Sequence, residues 1–269
     1  MSKADDTGTL QIIDEMDRKL AGWDDPAARL RKALELDELQ LYCQPILGLR
    51  EPRQFEMAEA LVRLREEEAL LLPPGDFLPV FEHYGMMPDL DRWVVTHVAR
   101  LLAGAAAGGF RRFSINISGQ SLADDKLAAH LRGVLQSLGV VPDALCFEID
   151  ESDVLERAAA AARFAAAAKQ LGCLTLIDGF GQRSVSFAPL KTLRPDYVKV
   201  DGSIVRNILR SEVALAKLGA VVRVGEVIGV RVIGECVEET DILSKLAAMG
   251  VGYAQGFGIA RPAPIRGSS

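Results

Sequence analysis

The sequence predicts an α/β protein folded as a modified β/α barrel of eight strands, with the first strand antiparallel to the rest. From residue 40 onwards, short runs of strand-forming residues alternate with helix-length stretches, which indicates a mainly parallel sheet. Eight such runs within roughly 220 residues favour a closed barrel over an open sheet. The connection between the first two runs, LGLREPRQ, is too short for a crossover helix, so these strands are expected to form an antiparallel hairpin.

The individual elements follow from the spacing of apolar residues and from the position of glycine and proline. Strands are predicted at residues 40–47, 55–64, 112–118, 145–150, 174–178, 197–201, 230–236 and 253–260. Helices are predicted between them at residues 76–104, 121–138, 153–171, 203–228 and 240–249.

The chain divides into an N-terminal helical extension, residues 1–35, and one barrel domain, residues 36–265. Apolar residues at helical spacing between 13 and 20 predict a first helix in the extension. Asp25 and Pro26 predict the start of a second, with the aspartate as N-cap and the proline in the first turn. This extension is expected either to be a partner-binding or linker segment or to cover one end of the domain.

Composition excludes several classes of function. The chain of 269 residues carries a net charge of −6, so it has no overall attraction for a nucleic-acid polymer or an anionic membrane. Its four cysteines form no CxxC pair and lie in apolar surroundings, which predicts buried, reduced thiols. Its three histidines lie in helical segments, which gives little support to zinc chemistry or a serine hydrolase triad. No apolar run is long enough to span a membrane, and a cytoplasmic location is expected.

Polar residues recur at the ends of the predicted strands. In a β/α barrel the carboxyl ends of the strands meet at one face, where catalytic residues collect. A single acid at such a position often caps the next helix, but a set contributed by most strands predicts a site. Oxygen ligands without histidine favour Mg²⁺ or Mn²⁺ over zinc. The set comprises Glu59, Arg63, Asn116, Glu148, Glu151, Asp178, Lys199, Asp201, Glu235 and Gln255.

Several motifs in the same order resemble those of the EAL family of cyclic di-GMP phosphodiesterases. They are EALVR at 59–63, QPI at 44–46, NIS at 116–118, EIDES at 148–152, KVDGSIV at 199–205, GECVE at 234–238 and QGFGIARP at 255–262. The resemblance covers residues 36–264. It implies a modified (β/α)8, TIM-like barrel with an antiparallel first strand. It also implies hydrolysis of cyclic di-GMP to linear pGpG with two Mg²⁺ or Mn²⁺ ions.

The resemblance further implies a role for each matching residue. Metal ligation is expected of Glu59, Asn116, Glu148 and Asp178, with Asp178 bridging both ions. Catalytic roles are expected of Lys199, which would bind the attacking water, and of Glu235, which would support the second ion. Ligand contacts are expected of Gln44, Leu61, Arg63, Asp201 and Gln255, although Asp201 is equally interpreted as a capping acid. Glu151 is expected to stabilise the loop that follows residues 174–178.

One motif departs from the family pattern. The family has two consecutive aspartates at this point, followed by FGTG, whereas this chain has Asp178-Gly179 followed by FGQR. Gly179 offers no side-chain oxygen, so the second-ion site is expected to be weakened. Arg183 in the altered loop is interpreted either as a substitute positive charge or as a solvated loop residue.

Three hypotheses therefore remain open at the level of the sequence. The first is a weak or metal-demanding cyclic di-GMP phosphodiesterase, supported by the retained polar residues. The second is a receptor that holds cyclic di-GMP without cutting it, supported by Gly179 and the altered loop. The third is a scaffold that binds only proteins, through the N-terminal helices or a barrel face. The resemblance implies a homodimer formed through the barrel. The altered loop belongs to the dimer contacts of the family, so the sequence does not decide whether this dimer forms.

Overall fold

The structure is a computed structural model that describes residues 25–65, 71–104 and 108–265. The predicted helix between residues 13 and 20 lies outside these ranges. The second predicted helix is present, because the Asp25 side chain accepts a hydrogen bond from the Ala28 N–H and Pro26 occupies the first turn.

A closed sheet forms the centre of the molecule. Eight of its ten strands close into a barrel, because the first strand pairs antiparallel with both the second and the ninth. The second strand pairs in parallel with the fourth, and each strand from the fourth to the ninth pairs in parallel with the next. The strands are β1 (Leu39–Gly48), β2 (Met57–Arg65), β3 (Leu71–Leu72), β4 (Arg112–Asn116), β5 (Leu145–Asp150), β6 (Leu174–Phe180), β7 (Tyr197–Val200), β8 (Arg231–Gly234), β9 (Tyr253–Ala254) and β10 (Ala263–Pro264).

Both features predicted for the barrel are confirmed. The β1–β2 hairpin runs in register from the Leu39–Leu64 pair to the Ile46–Met57 pair. The remaining barrel strands alternate with helices that cover the outside of the sheet, as parallel neighbours require.

Helices follow the predicted stretches, but most stretches are interrupted. Gly85, in the left-handed region at φ +66°, separates the two helices that replace the predicted helix at 76–104. One short helix before β7 was not predicted. The helices are α1 (Pro26–Glu35), α2 (Pro74–His83), α3 (Met87–Ala103), α4 (Gly119–Leu122), α5 (Lys126–Leu138), α6 (Glu151–Glu156), α7 (Ala158–Gln170), α8 (Ala188–Leu193), α9 (Gly202–Val205), α10 (Glu212–Ile228) and α11 (Thr240–Ala248).

The last predicted strand is much shorter than expected. The prediction of residues 253–260 was wrong beyond Ala254, where β9 ends. The chain then packs directly against the loop after β8. A Cβ at Gly256 would lie 2.2 Å from the backbone nitrogen of Val237, so only glycine fits there. This approach between distant segments ends the strand, and it carries no signal in the local sequence.

Apolar residues fill the part of the barrel interior that lies away from the carboxyl ends of the parallel strands. Six buried side chains from six strands pack there: Ile46, Met57, Cys146, Leu176, Tyr197 and Ile233. A larger core lies between the sheet and the helices. All four cysteines lie within the described residues and carry free thiols, with Cys236 only half-buried. Among the residues described, none of the helices combines the length and apolar character needed to cross a lipid bilayer.

Candidate active site

Strand alternation places the polar residues one layer beyond the six apolar side chains of the barrel interior, toward the carboxyl ends of the strands. Side chains two residues apart on a strand point to the same face. Glu148 follows Cys146 by two positions, Lys199 follows Tyr197, and Asp178 follows Leu176. Glu59 and Glu235 stand in the same relation to Met57 and Ile233. The carboxylates and the lysine therefore converge at the carboxyl-terminal mouth of the barrel.

Lys199 is the centre of this cluster. Its side chain is 2% exposed, and Nζ lies 2.6 Å from Glu148 Oε2, 3.0 Å from Glu59 Oε2 and 3.7 Å from Asp178 Oδ1. Burial acts to lower the pKa of Lys199, but attraction to the three carboxylates outweighs it and holds that pKa well above the usual value. The lysine is therefore a buried ammonium ion that compensates a surplus of negative charge.

The acids around Lys199 differ in their environments. Burial, followed by repulsion from Glu59, raises the pKa of Glu148. Burial also acts to raise the pKa of Glu59, but attraction to Lys199 and hydrogen bonds from Gln255 and Asn116 lower it overall. The Glu59 carboxylate is thus held as an anion, while Glu148 is the acid closer to taking up a proton.

Amide side chains fix the orientation of Glu59. Asn116 Nδ2 donates to Glu59 Oε1 at 2.8 Å, and Gln255 Nε2 donates to Glu59 Oε2 at 2.8 Å. The same Gln255 nitrogen also lies 3.2 Å from Gln44 Oε1, and Gln44 Nε2 donates to the Ala260 carbonyl oxygen at 3.0 Å. These contacts bring Gln44, Asn116 and Gln255 to the site.

The donor set suits a hard divalent cation. Glu148 Oε1 and Asp178 Oδ1 are buried oxygens with no hydrogen-bond donor, and such atoms are costly unless a cation or donor satisfies them. In the described part of the chain, no three His, Cys, Asp or Glu side chains are already spaced to hold an ion. The Lys199 ammonium lies among the carboxylates instead. The residues fit Mg²⁺ or Mn²⁺ by chemistry, provided that the ammonium yields part of this space.

Glu235 and its neighbours extend the acidic cluster. Glu235 Oε1 accepts a hydrogen bond from the Gly202 N–H at 2.8 Å, and burial, then repulsion from Asp178, raises its pKa to about 7. Asp201 Oδ1 accepts from the Ser203 N–H at 2.8 Å, so this aspartate caps α9. This contact agrees with the interpretation of Asp201 as a capping acid.

Two of the expected ligand-binding residues lie further along β2. Leu61 and Arg63 follow Glu59 by two and four residues and are half-buried. The Arg63 guanidinium lies 5.2 Å from the centre of the Tyr42 ring, and its Nη1 donates to the Val62 carbonyl oxygen at 2.8 Å. Arg63 is thus part of the rim of the barrel mouth, apart from the Lys199 cluster.

The loop after β6 is tied to α6. Glu151 is 6% exposed, and its Oε2 accepts a hydrogen bond from the Gly181 N–H at 3.0 Å. This bond links the residue expected to stabilise the loop to the loop itself. Arg183, by contrast, is 74% exposed and has a long contact of 3.9 Å with Glu156, so its side chain is solvated.

Sequence reasoning missed two acids near the site. Asp91 on α3 is buried and accepts hydrogen bonds from the Ser118 N–H at 2.9 Å and the Ser118 hydroxyl at 2.8 Å, which fixes the turn after Asn116. Asp150 ends β5 beside Asp178 of β6. Its position two residues after Glu148, on the same face of the strand, was the signal that could have identified it.

Comparisons with known proteins agree on one family. The family model of the EAL domain matches residues 27–262. The chain is 30% identical over 271 residues to the cyclic di-GMP phosphodiesterase PdeB of Shewanella oneidensis, covering 98% of this chain and 31% of that protein. It is 34% identical over 236 residues to the cyclic di-GMP phosphodiesterase PdeR of Escherichia coli, covering 87% of this chain and 35% of that protein. The chain thus spans about a third of the length of these curated relatives.

Solved structures show the same fold. The crystal structure of the FimX EAL domain from Pseudomonas aeruginosa bound to c-di-GMP superimposes with a TM-score of 0.80 at 27% identity. The match covers 89% of this chain and 96% of that domain.

Proposed function

The chain belongs to the EAL-domain family, and from that premise we propose that it hydrolyses cyclic di-GMP to linear pGpG in a slow, metal-dependent reaction. The observation that carries the proposal is the cluster of Glu59, Glu148, Asp178 and Lys199 at the barrel mouth. A purely structural ion pair would satisfy its oxygens, whereas this cluster leaves the buried Glu148 Oε1 without a hydrogen-bond donor and Asp178 Oδ1 with only a long 3.7 Å contact to Lys199 Nζ.

Each residue has a proposed task in binding the ion. Mg²⁺ or Mn²⁺ would be held by Glu59, Asn116, Glu148 and Asp178. When bound, such ions activate water as a nucleophile and neutralise the charge that develops on a phosphate. The Asn116 and Gln255 side chains keep the Glu59 carboxylate oriented toward the centre of the barrel.

The reaction itself is a hydrolysis at phosphorus. A water oxygen forms a bond to one phosphorus atom, the bond from that phosphorus to a ribose 3′ oxygen breaks, and the released oxygen takes up a proton. Lys199, as an ammonium donor, is proposed to orient the attacking water. Glu235 would support a second ion when one is bound, and Arg63 and Gln255 would contact the dinucleotide, with Gln44 and Leu61 beside them. Glu151 keeps the adjoining loop in place through the Gly181 N–H.

A second candidate function rests on Gly179. Since this residue supplies no carboxylate, the chain would bind cyclic di-GMP and release it intact if the second ion is required for turnover. The protein would then be a receptor. We further infer a cytoplasmic location, in keeping with the free thiols of its four cysteines. A homodimer through the barrel and a protein partner at the N-terminal helices or a barrel face also remain proposals.

A single-turnover assay tests the proposed function against the receptor. Purified protein in excess is mixed with cyclic di-GMP at millimolar Mg²⁺ or Mn²⁺, and pGpG is quantified after separation. The matched control is Glu59→Gln, which removes the charge and keeps the size of the side chain. Product that depends on Glu59 supports hydrolysis. Intact dinucleotide that co-elutes with the protein identifies a receptor and refutes the proposal.

A further inference from the structure

Asp150 lies beside the position where the acidic motif is interrupted. Its Cα is the register partner of Asp178 on the adjoining parallel strand, so Asp150 is next to Gly179 as well. A Cβ built on Gly179 would lie 3.3 Å from Asp150 Oδ2. The Asp150 carboxylate therefore already occupies space that a side chain at position 179 would enter.

The backbone at this point is shaped to allow the approach. Gly179 has φ +63°, in the left-handed region that glycine adopts freely. The pairing of β6 with β7 is irregular between Ile177 and Phe180, so the strand bends where Asp178 and Gly179 lie. The Asp150 carboxylate of β5 lies against this irregular end of β6.

One oxygen of Asp150 is fixed and the other remains available. Oδ1 accepts hydrogen bonds from both the Ser152 N–H, at 2.7 Å, and the Ser152 hydroxyl. These bonds cap α6 and hold the carboxylate in one orientation. Among the described residues, Oδ2 accepts no hydrogen bond and faces Gly179. The capping contact thus orients the carboxylate through Oδ1 and leaves Oδ2 able to bind a ligand.

Asp178 lies close enough to both Asp150 and Glu235 for their charges to interact with it. Asp178 Oδ1 is buried and accepts no hydrogen bond, and its contact with Lys199 Nζ is long, at 3.7 Å. Glu235 uses Oε1 to accept from Gly202, and its other oxygen forms no hydrogen bond with the described residues. Asp150, Asp178 and Glu235 together provide the hard oxygen donors that Mg²⁺ and Mn²⁺ prefer.

We propose that Asp150 is a ligand of the second divalent cation and supplies the carboxylate that Gly179 does not. The inference rests on the proposed metal-dependent function. It adds that the missing acid of β6 is replaced from β5, so the chain binds two cations.

Counting bound Mn²⁺ tests this inference separately from hydrolysis. The protein is titrated with Mn²⁺ without nucleotide, and free Mn²⁺ is measured by electron paramagnetic resonance. The unmodified protein is expected to bind two ions per chain, and Asp150→Asn should weaken the second by tenfold or more. Asparagine is also a good N-cap, so α6 should be retained, which thermal unfolding checks. The matched control is Asp25→Asn, which changes the N-cap of α1 away from the site.

A carboxylate transfer completes the test. In Asp150→Ser with Gly179→Asp, serine keeps the cap and aspartate tolerates a positive φ. This double variant should regain the second Mn²⁺ ion that Asp150→Ser alone loses. One ion per chain in the unmodified protein, two in Asp150→Asn, or no recovery in the double variant would overturn the inference. Two bound ions without pGpG formation would instead refute the proposed hydrolysis and leave the role of Asp150 standing.

Discussion

Lys199 Nζ lies 2.6 Å from Glu148 Oε2, and the exposed fractions of the two side chains are 2% and 0%. Removing either partner of such a pair destabilises the protein, because it leaves an uncompensated buried charge. The same ammonium also compensates Glu59 and Asp178. The ion that holds the cluster together therefore occupies the place where a metal would be needed.

Lys199→Met is the first prediction. The variant should lose about 3 kcal/mol of unfolding free energy, because three carboxylates then share one pocket without a cation. Urea denaturation measures this loss. Millimolar Mg²⁺ should return part of it in the variant and less in the unmodified protein, since the divalent ion then has no competitor. Lys191→Met, at an exposed position on α8, is the control. Equal stabilisation of both proteins by Mg²⁺ would contradict the prediction.

Much of this site could be predicted from the sequence, for a physical reason. Parallel strands bring their carboxyl ends together, and period-two alternation puts Glu59, Glu148, Asp178 and Lys199 on one face. Contacts between distant segments could not be predicted. The approach of Asp150 to Gly179 depends on the register of β5 against β6, and the end of β9 depends on the packing of Gly256 against Val237. Neither leaves a local pattern.

Asp91 should make the stability of the protein depend on pH. Burial raises its pKa from 3.8 to about 6, although hydrogen bonds from Ser118 and Ser121 act against the shift. The folded state therefore binds the proton more tightly than the unfolded chain does. The contribution of Asp91 protonation to the unfolding free energy is complete below about pH 4 and is lost as the pH rises to about 6. This is a change of about 3 kcal/mol.

Asp91→Asn should remove this dependence, because its amide cannot ionise. The unfolding free energy of the unmodified protein, minus that of the variant, should fall between pH 4 and pH 6. Denaturant titrations at several pH values measure it. Asp241→Asn, at an exposed position, is the control. A difference that stays constant or rises across this range would show that Asp91 is not the group responsible.

Glu151→Ala should loosen the loop after β6. Glu151 Oε2 is the acceptor for the Gly181 N–H, and a hydrogen bond to a charged group contributes about 1.5–3 kcal/mol. Amide exchange at Gly181 should therefore accelerate about tenfold or more, as measured by hydrogen–deuterium exchange of the segment around it. Glu226→Ala, at an exposed position on α10, should leave this exchange unchanged. Unchanged exchange in Glu151→Ala would show that the loop is held by other contacts.

Gly256→Ala should destabilise the barrel where β8 and β9 end. The added Cβ would lie 2.2 Å from both the nitrogen and the carbonyl oxygen of Val237, and backbone atoms cannot move aside as a flexible side chain can. Overpacking of this kind costs about 1–3 kcal/mol of unfolding free energy. Because Gln255 and Glu235 flank the two clashing segments, the strain should also displace site residues. Chemical denaturation measures the loss, and Mn²⁺ affinity should weaken with it.

Gly133→Ala provides the opposite expectation for the same chemical change. Gly133 lies within α5, and a Cβ there would meet no atom within 4 Å. Alanine restricts the unfolded chain more than glycine does, so this variant should gain about 0.5–1 kcal/mol. The difference between the two variants isolates the effect of the close approach at Gly256 from the general effect of adding a methyl group. Equal stability changes in both would mean that the end of β9 does not depend on contact with Val237.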